Sequence, residues 1–166
     1  MIAQLLLLEF DEEAKNTRAL LARVPMKADF APHAKSMPLG KLAPHVAELA
    51  GFGHTILTTP ELDFGVGPPR TRPGFESPEQ LVKAFDEGAD KVRAALKQVS
   101  DAAWHEPWKL SFNGKPIFSG SRFLAYRQMF LNHLVHHRAQ LGVYLRLNET
   151  PLPATYGPSA DDRMGF

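Results

Sequence analysis

The chain has 166 residues, 44% hydrophobic and 22% charged, enough to bury a core without covalent staples. Nineteen basic against eighteen acidic side chains leave a formal net charge of +1, which offers no electrostatic footprint for nucleic acid or an anionic membrane. The absence of cysteine excludes disulfides, thiolate zinc sites, iron–sulfur clusters and a cysteine nucleophile, and leaves metal chemistry to oxygen and imidazole ligands.

The first apolar run, Leu5 to Leu8, is short, lacks a basic flank and is followed by Glu9, Asp11, Glu12 and Glu13, so it does not read as a signal peptide. No stretch reaches the ~18 apolar residues of a membrane span. The expectation is a soluble, cytoplasmic protein with no nucleic-acid or membrane partner.

Prolines mark where helices end. None of the 14 falls in 1–24, 79–106 or 117–150, and a helix interior rejects proline because the ring removes a donor and clashes with the preceding turn. The first gap predicts a helix over about 3–23, with Leu6, Phe10, Ala14, Thr17 and Leu21 on one face and Pro25 beyond its end. Over 38–58, Leu42, Val46, Leu49, Ala50, Gly53 and Leu57 again have helical spacing. This helix either starts at Pro44, or starts near Pro38 and kinks at Pro44. The segment 59–77 reads as a proline-bearing ordered loop anchored by Phe64 and Phe75. A helix over about 78–98 follows, with Ser77 as N-cap, Pro78 in the first turn and Glu79 at the positive end of the dipole. Gly88 weakens its middle by roughly 1 kcal/mol relative to alanine.

Asn113-Gly114 lies between the apolar alternations Trp108–Phe112 and Lys115–Phe118, a strong signal for a tight hairpin, with Pro116 placing its second strand at an edge. The last helix is expected from Ser121 to Leu147, with Phe123, Tyr126, Phe130, His133, His137, Leu141 and Tyr144 on one broad face. The tail from Thr150 to Phe166 is turn-rich. The whole, residues 1–166, reads as a single all-α domain: a four-helix bundle with a small β-hairpin inserted before the last helix.

His133 and His137 stand at i and i+4, so both imidazoles rise from one face and can close on one ion. His136, at i+3 from His133, permits a second pairing, although His137 lines up better with Phe130, Leu141 and Tyr144. Interior histidines bonded to backbone or carboxylate are the competing reading. A third ligand must come from another helix, and His45, among Leu42, Leu49 and Phe52, is the candidate. Glu48, one turn on, is either a solvated charge or a partner or base beside the site. His54 is placed toward solvent, and His33 and His105 in loops. Tyr126, Tyr144, Phe130 and Trp104 belong to the core or line a pocket. Arg138 either grips an anion or lies solvated near the helix C-terminus.

His133-Leu134-Val135-His136-His137-Arg138-Ala139-Gln140-Leu141 resembles the H-x-x-H-H-R-x-Q-L signature of the DinB-like superfamily, a metal-binding four-helix family. Lys35 to Leu49, containing Ser36-Met37 and His45, is similar to that family's second-helix segment. Glu9-Phe10 with Thr17-Arg18 resembles its first helix, and Pro153 to Asp162 its tail. The resemblance implies metal ligation by His45, His133 and His137, and a bundle with a crossover connection between the second and third helices. It also implies a second helix that starts near Pro38. It further implies a divalent ion, zinc, nickel or iron, with open positions for chemistry. The function so implied is a metal-dependent enzyme that transfers a low-molecular-weight thiol to an electrophilic small-molecule substrate. The alternatives are a metal-dependent hydrolase and a non-enzymatic, stress-related metal-binding bundle. A homodimer is expected, because the Leu5 to Leu8 run covers every side of the first helix.

Overall fold

The computed structural model describes residues 1–67 and 72–164. Four long helical stretches carry most of it: α1 (Ile2–Leu21), α2 (Leu39–Thr58), α3 (Pro78–Leu96), and a last helix built from α4 (Arg122–Leu124), π1 (Ala125–Leu131) and α5 (Asn132–Leu147). One hydrophobic cluster joins them, with Phe10 and Leu21 from α1, Leu42 and Ile56 from α2, Leu81 and Phe85 from α3, and Tyr126, Phe130 and Leu141 from the last helix. α2 packs along α3 and also against π1 and α5, and α1 packs against α5 as well.

α1 buries the expected face, including Leu6, Phe10, Ala14, Thr17 and Leu21. α2 is one element with Pro38 as its N-cap and Pro44 inside it. No side chain caps it. Instead the Leu39 and Gly40 amides donate to the carbonyls of Phe30 and Ala28, each at 2.8 Å, which satisfies the first orphan donors. A Cβ on Gly40 would sit 2.9 Å from the Cβ of Ala28, so this close approach needs a glycine. Pro44 is buried in the core face; its missing N–H leaves the Gly40 carbonyl without an i+4 donor.

At α3 the Ser77 hydroxyl accepts from the Gln80 amide at 3.2 Å and Pro78 opens the helix, as its sequence predicts. Gly88 has a second meaning there. A Cβ added to it would lie 2.9 Å from the Ala50 Cβ and 3.0 Å from the Gly51 nitrogen, so the glycine lets α3 lie against α2.

The mostly helical fold carries one strand more than the expected hairpin. The hairpin exists, as β2 (Pro107–Phe112) and β3 (Lys115–Ser121), with both turn residues at positive φ, 50° for Asn113 and 76° for Gly114. A third strand, β1 (Glu61–Asp63), pairs in parallel with β2 inside what reads as a loop in the sequence. Its anchor is Asp63, whose carboxylate accepts from the amides of Gly65 and Asn113 at 2.8 Å and of Gly114 at 2.7 Å. Three residues are too few to show alternation. Pro68 and Pro69 of that loop, and the last two residues of the tail, lie outside the described residues.

The last helix also differs from expectation. Ser121 caps its start, accepting from the Leu124 amide at 3.3 Å, but residues 125–131 are π-helical, and the Asn132 amide reaches back five residues to the Arg127 carbonyl. The wider turn buries neighbours in pairs, Ala125 with Tyr126 and Phe130 with Leu131. Phe123, expected on one face with Tyr126 and Phe130, is 37% exposed while those two are buried, because a 3.6-residue period cannot be carried through a π segment.

Candidate metal centre

α2 and α5 bring His45, His133 and His137 together. One nitrogen from each of the three lies within 4.8 Å of the other two. The Nε2 atoms of His45 and His133 are 3.4 Å apart, and the His137 ring centroid is 4.6 Å from each of the other two rings. Two imidazole nitrogens at ~2.0–2.1 Å from one tetrahedral ion would be about 3.4 Å apart.

Each outer nitrogen has its own oxygen acceptor. His45 Nδ1 donates to Glu48 Oε1 at 3.0 Å, His133 Nδ1 to the Met129 carbonyl at 3.2 Å, and His137 Nδ1 to Gln140 Oε1 at 2.7 Å. These bonds place the proton on Nδ1 and leave the Nε2 lone pairs directed at one another. The His45 and His133 Nε2 atoms face each other at 3.4 Å, an arrangement that a cation between them would suit. Such outward bonds also orient imidazoles toward an ion.

Electrostatics favour neutral rings. Burial lowers the pKa of both His133 and His137, that of His137 to about 4, and repulsion from the neighbouring imidazoles adds to it against the opposing pull of Gln140. The site lies near the surface: the His45 side chain is 16% exposed and Glu48 19%. Arg72, 55% exposed, places its Nε 3.4 Å from the same Glu48 oxygen that accepts from His45.

The other histidines stay out of the cluster. His136 is exposed, its ring packed on the outer side of His137. His33 and His105 are exposed. His54 is half-buried rather than solvent-facing, and lines a cleft with Leu57, Lys91 and Gln98. Trp104, Tyr126 and Phe130 are buried core, and Tyr144, also buried, donates its hydroxyl to the Met37 carbonyl at 2.8 Å. Arg138 matches neither reading of the sequence: it is buried and paired with Glu13 and the Tyr156 hydroxyl. Sequence reasoning missed Gln140, although its three-residue spacing from His137 puts both on one face. It also missed the Met129 carbonyl and Arg72, for which no local signal exists.

The sequence profile of the DinB superfamily matches residues 9–141. The chain belongs to the DinB superfamily. Two solved DinB-like proteins share the fold of this one. A DinB-like protein of Bacillus cereus is 18% identical with a TM-score of 0.66, over 90% of this chain and 95% of that one. The DinB-like protein YjoA of Bacillus subtilis is 18% identical with a TM-score of 0.62, over 90% of this chain and 96% of that one. No curated protein sequence matches it. Within this DinB-like chain, a three-histidine group that could hold a metal ion sits where two helices meet.

Proposed function

We propose that His45, His133 and His137 hold a divalent ion, zinc, nickel or iron, and that the protein is a metal-dependent enzyme transferring a low-molecular-weight thiol to an electrophilic small molecule in the cytoplasm. The observation that carries the metal reading is the convergence of one ring nitrogen from each of three histidines, while the Nδ1 atom of each meets an oxygen acceptor. Three neutral ligands leave an ion its full charge and open positions, and an ion so held favours a sulfur ligand as its thiolate.

The chain's own residues then have defined work. The three imidazoles converge on one point, and all three are half-buried, which leaves room for a ligand to approach from solvent. Glu48 is engaged by His45 and Arg72, which suits an orienting role more than that of a general base for water. A thiol held by such an ion would need no such base, since its S–H proton would pass to solvent water. Its sulfur lone pair then forms the new bond to an electrophilic carbon, whose leaving group departs with the electrons of the broken bond. Leu5 and Leu8 of α1 are each about two-thirds exposed, and we read this face as the contact for a second copy, to be checked by light scattering.

Elemental analysis of the purified protein tests the metal. Protein loaded in turn with zinc, nickel and iron is then offered thiols and an electrophilic acceptor, and thioether product is expected. Turnover of an ester or amide without thiol would move the reading to hydrolysis. No turnover, with an ion that chelators cannot reach, would leave a structural ion.

A further inference from the structure

We propose that Arg72 recognises a carboxylate carried by the thiol, and so sets which thiols the three-histidine site accepts; this rests on the metal and thiol reading above. The guanidinium has one polar partner among the described residues, Glu48, reached through Nε at 3.4 Å. That contact holds the guanidinium beside the cluster, since the same Glu48 oxygen accepts from His45 Nδ1. The contact uses the Nε position, while a guanidinium carries five donors and binds carboxylate through two parallel bonds. With the side chain 55% exposed, the terminal Nη pair has no partner among the described residues and can meet a ligand from solvent.

Charge points the same way. Glu48 neutralises Arg72 itself, so the ion's two positive charges are not met by the three neutral imidazoles. A bound thiolate cancels one, and a second anion beside it completes the balance. An arginine one ion pair away from His45 is close enough to select a ligand that carries that second anion.

The test uses cobalt(II)-loaded protein, 3-mercaptopropionate and its uncharged amide, 3-mercaptopropanamide. Thiol binding is read from the sulfur-to-cobalt charge-transfer band, and cobalt binding separately from its visible d–d bands. Comparing the ratio of the two thiol affinities between wild type and variants removes intrinsic differences between the thiols. The Arg72→Gln variant should lower the preference for the carboxylate thiol by about tenfold, the loss of one charged hydrogen-bonded pair, with cobalt affinity unchanged. Arg72→Lys should keep part of the preference. An unchanged ratio in Arg72→Gln overturns the proposal, as does an equal loss for both thiols together with weaker cobalt binding, which would make Arg72 only a support for Glu48. If cobalt binds but neither thiol gives a band, the thiol reading falls and this one with it. If wild type shows no d–d bands, the metal reading falls first.

Discussion

At the scale of single residues, the site depends on which ring nitrogen carries the proton. Glu48, the Met129 carbonyl and Gln140 each hold an Nδ1 proton and expose an Nε2. Removing an outer partner of this kind costs about 10–100-fold in metal affinity. Glu48→Gln should fall in that range by competition titration, because the amide is a weaker acceptor for His45. His133→Ala removes one of the three proposed ligands, and binding should drop below detection, whereas His54→Ala should leave it intact. Acid should act on the metal-free protein through His133 and His137. Burial holds both pKa values below the ordinary 6.5, that of His137 at about 4. Between about 6.5 and 4 the unfolded chain therefore binds protons that the folded chain refuses, so their contribution to stability is complete above 6.5 and is lost as pH falls toward 4. The melting temperature of the metal-free protein should decline across that window, and His137→Gln should flatten the decline.

Among the elements, two glycines one helix apart make opposite predictions. Gly51 in α2 has open space where a Cβ would go, while Gly88 in α3 meets Ala50 and the Gly51 backbone. Gly51→Ala should therefore gain up to about 1 kcal/mol of helix propensity. Gly88→Ala gains the same propensity but overpacks the α2–α3 contact, a cost of about 1–3 kcal/mol, so it should be neutral to destabilising by about 2 kcal/mol in urea unfolding. The helices themselves were legible because proline spacing and apolar periodicity are local. The Ser77 cap and the Asn113-Gly114 turn were legible for the same reason. β1 was not, because its three residues are held by Asp63 reaching a turn fifty positions away. Nor was the π segment, since a change of helical register leaves no mark that a 3.6-residue period can read.

For the whole molecule, the buried Arg138–Glu13 pair ties α5 to α1 and, through the Tyr156 hydroxyl, to the C-terminal tail. The tail is fastened again by Arg146 on Asp161 and by the Asp161 carboxylate on the Leu152 amide at 2.8 Å. Breaking a buried ion pair from one side leaves the other charge stranded, at about 3–5 kcal/mol. Arg138→Ala should cost that much and expose the tail to limited proteolysis. The double replacement Glu13→Leu with Arg138→Met strands no charge and should recover most of the loss in urea unfolding.

The sequence by itself determined the long helices, the hairpin turn and the residue types at the cluster, because helical spacing puts His133 and His137 on one face and apolar neighbours turn His45 inward. It also excluded thiolate chemistry from the chain outright, since no cysteine exists to perform it. Only the tertiary structure decided that His45 meets the other two, that His54 does not, and that Arg138 is sealed against Glu13 rather than offered to a ligand. Those outcomes depend on how α2 lies against α5, and α1 against the tail. Such placements follow from close packing between residues far apart in the chain, which local periodicity does not record.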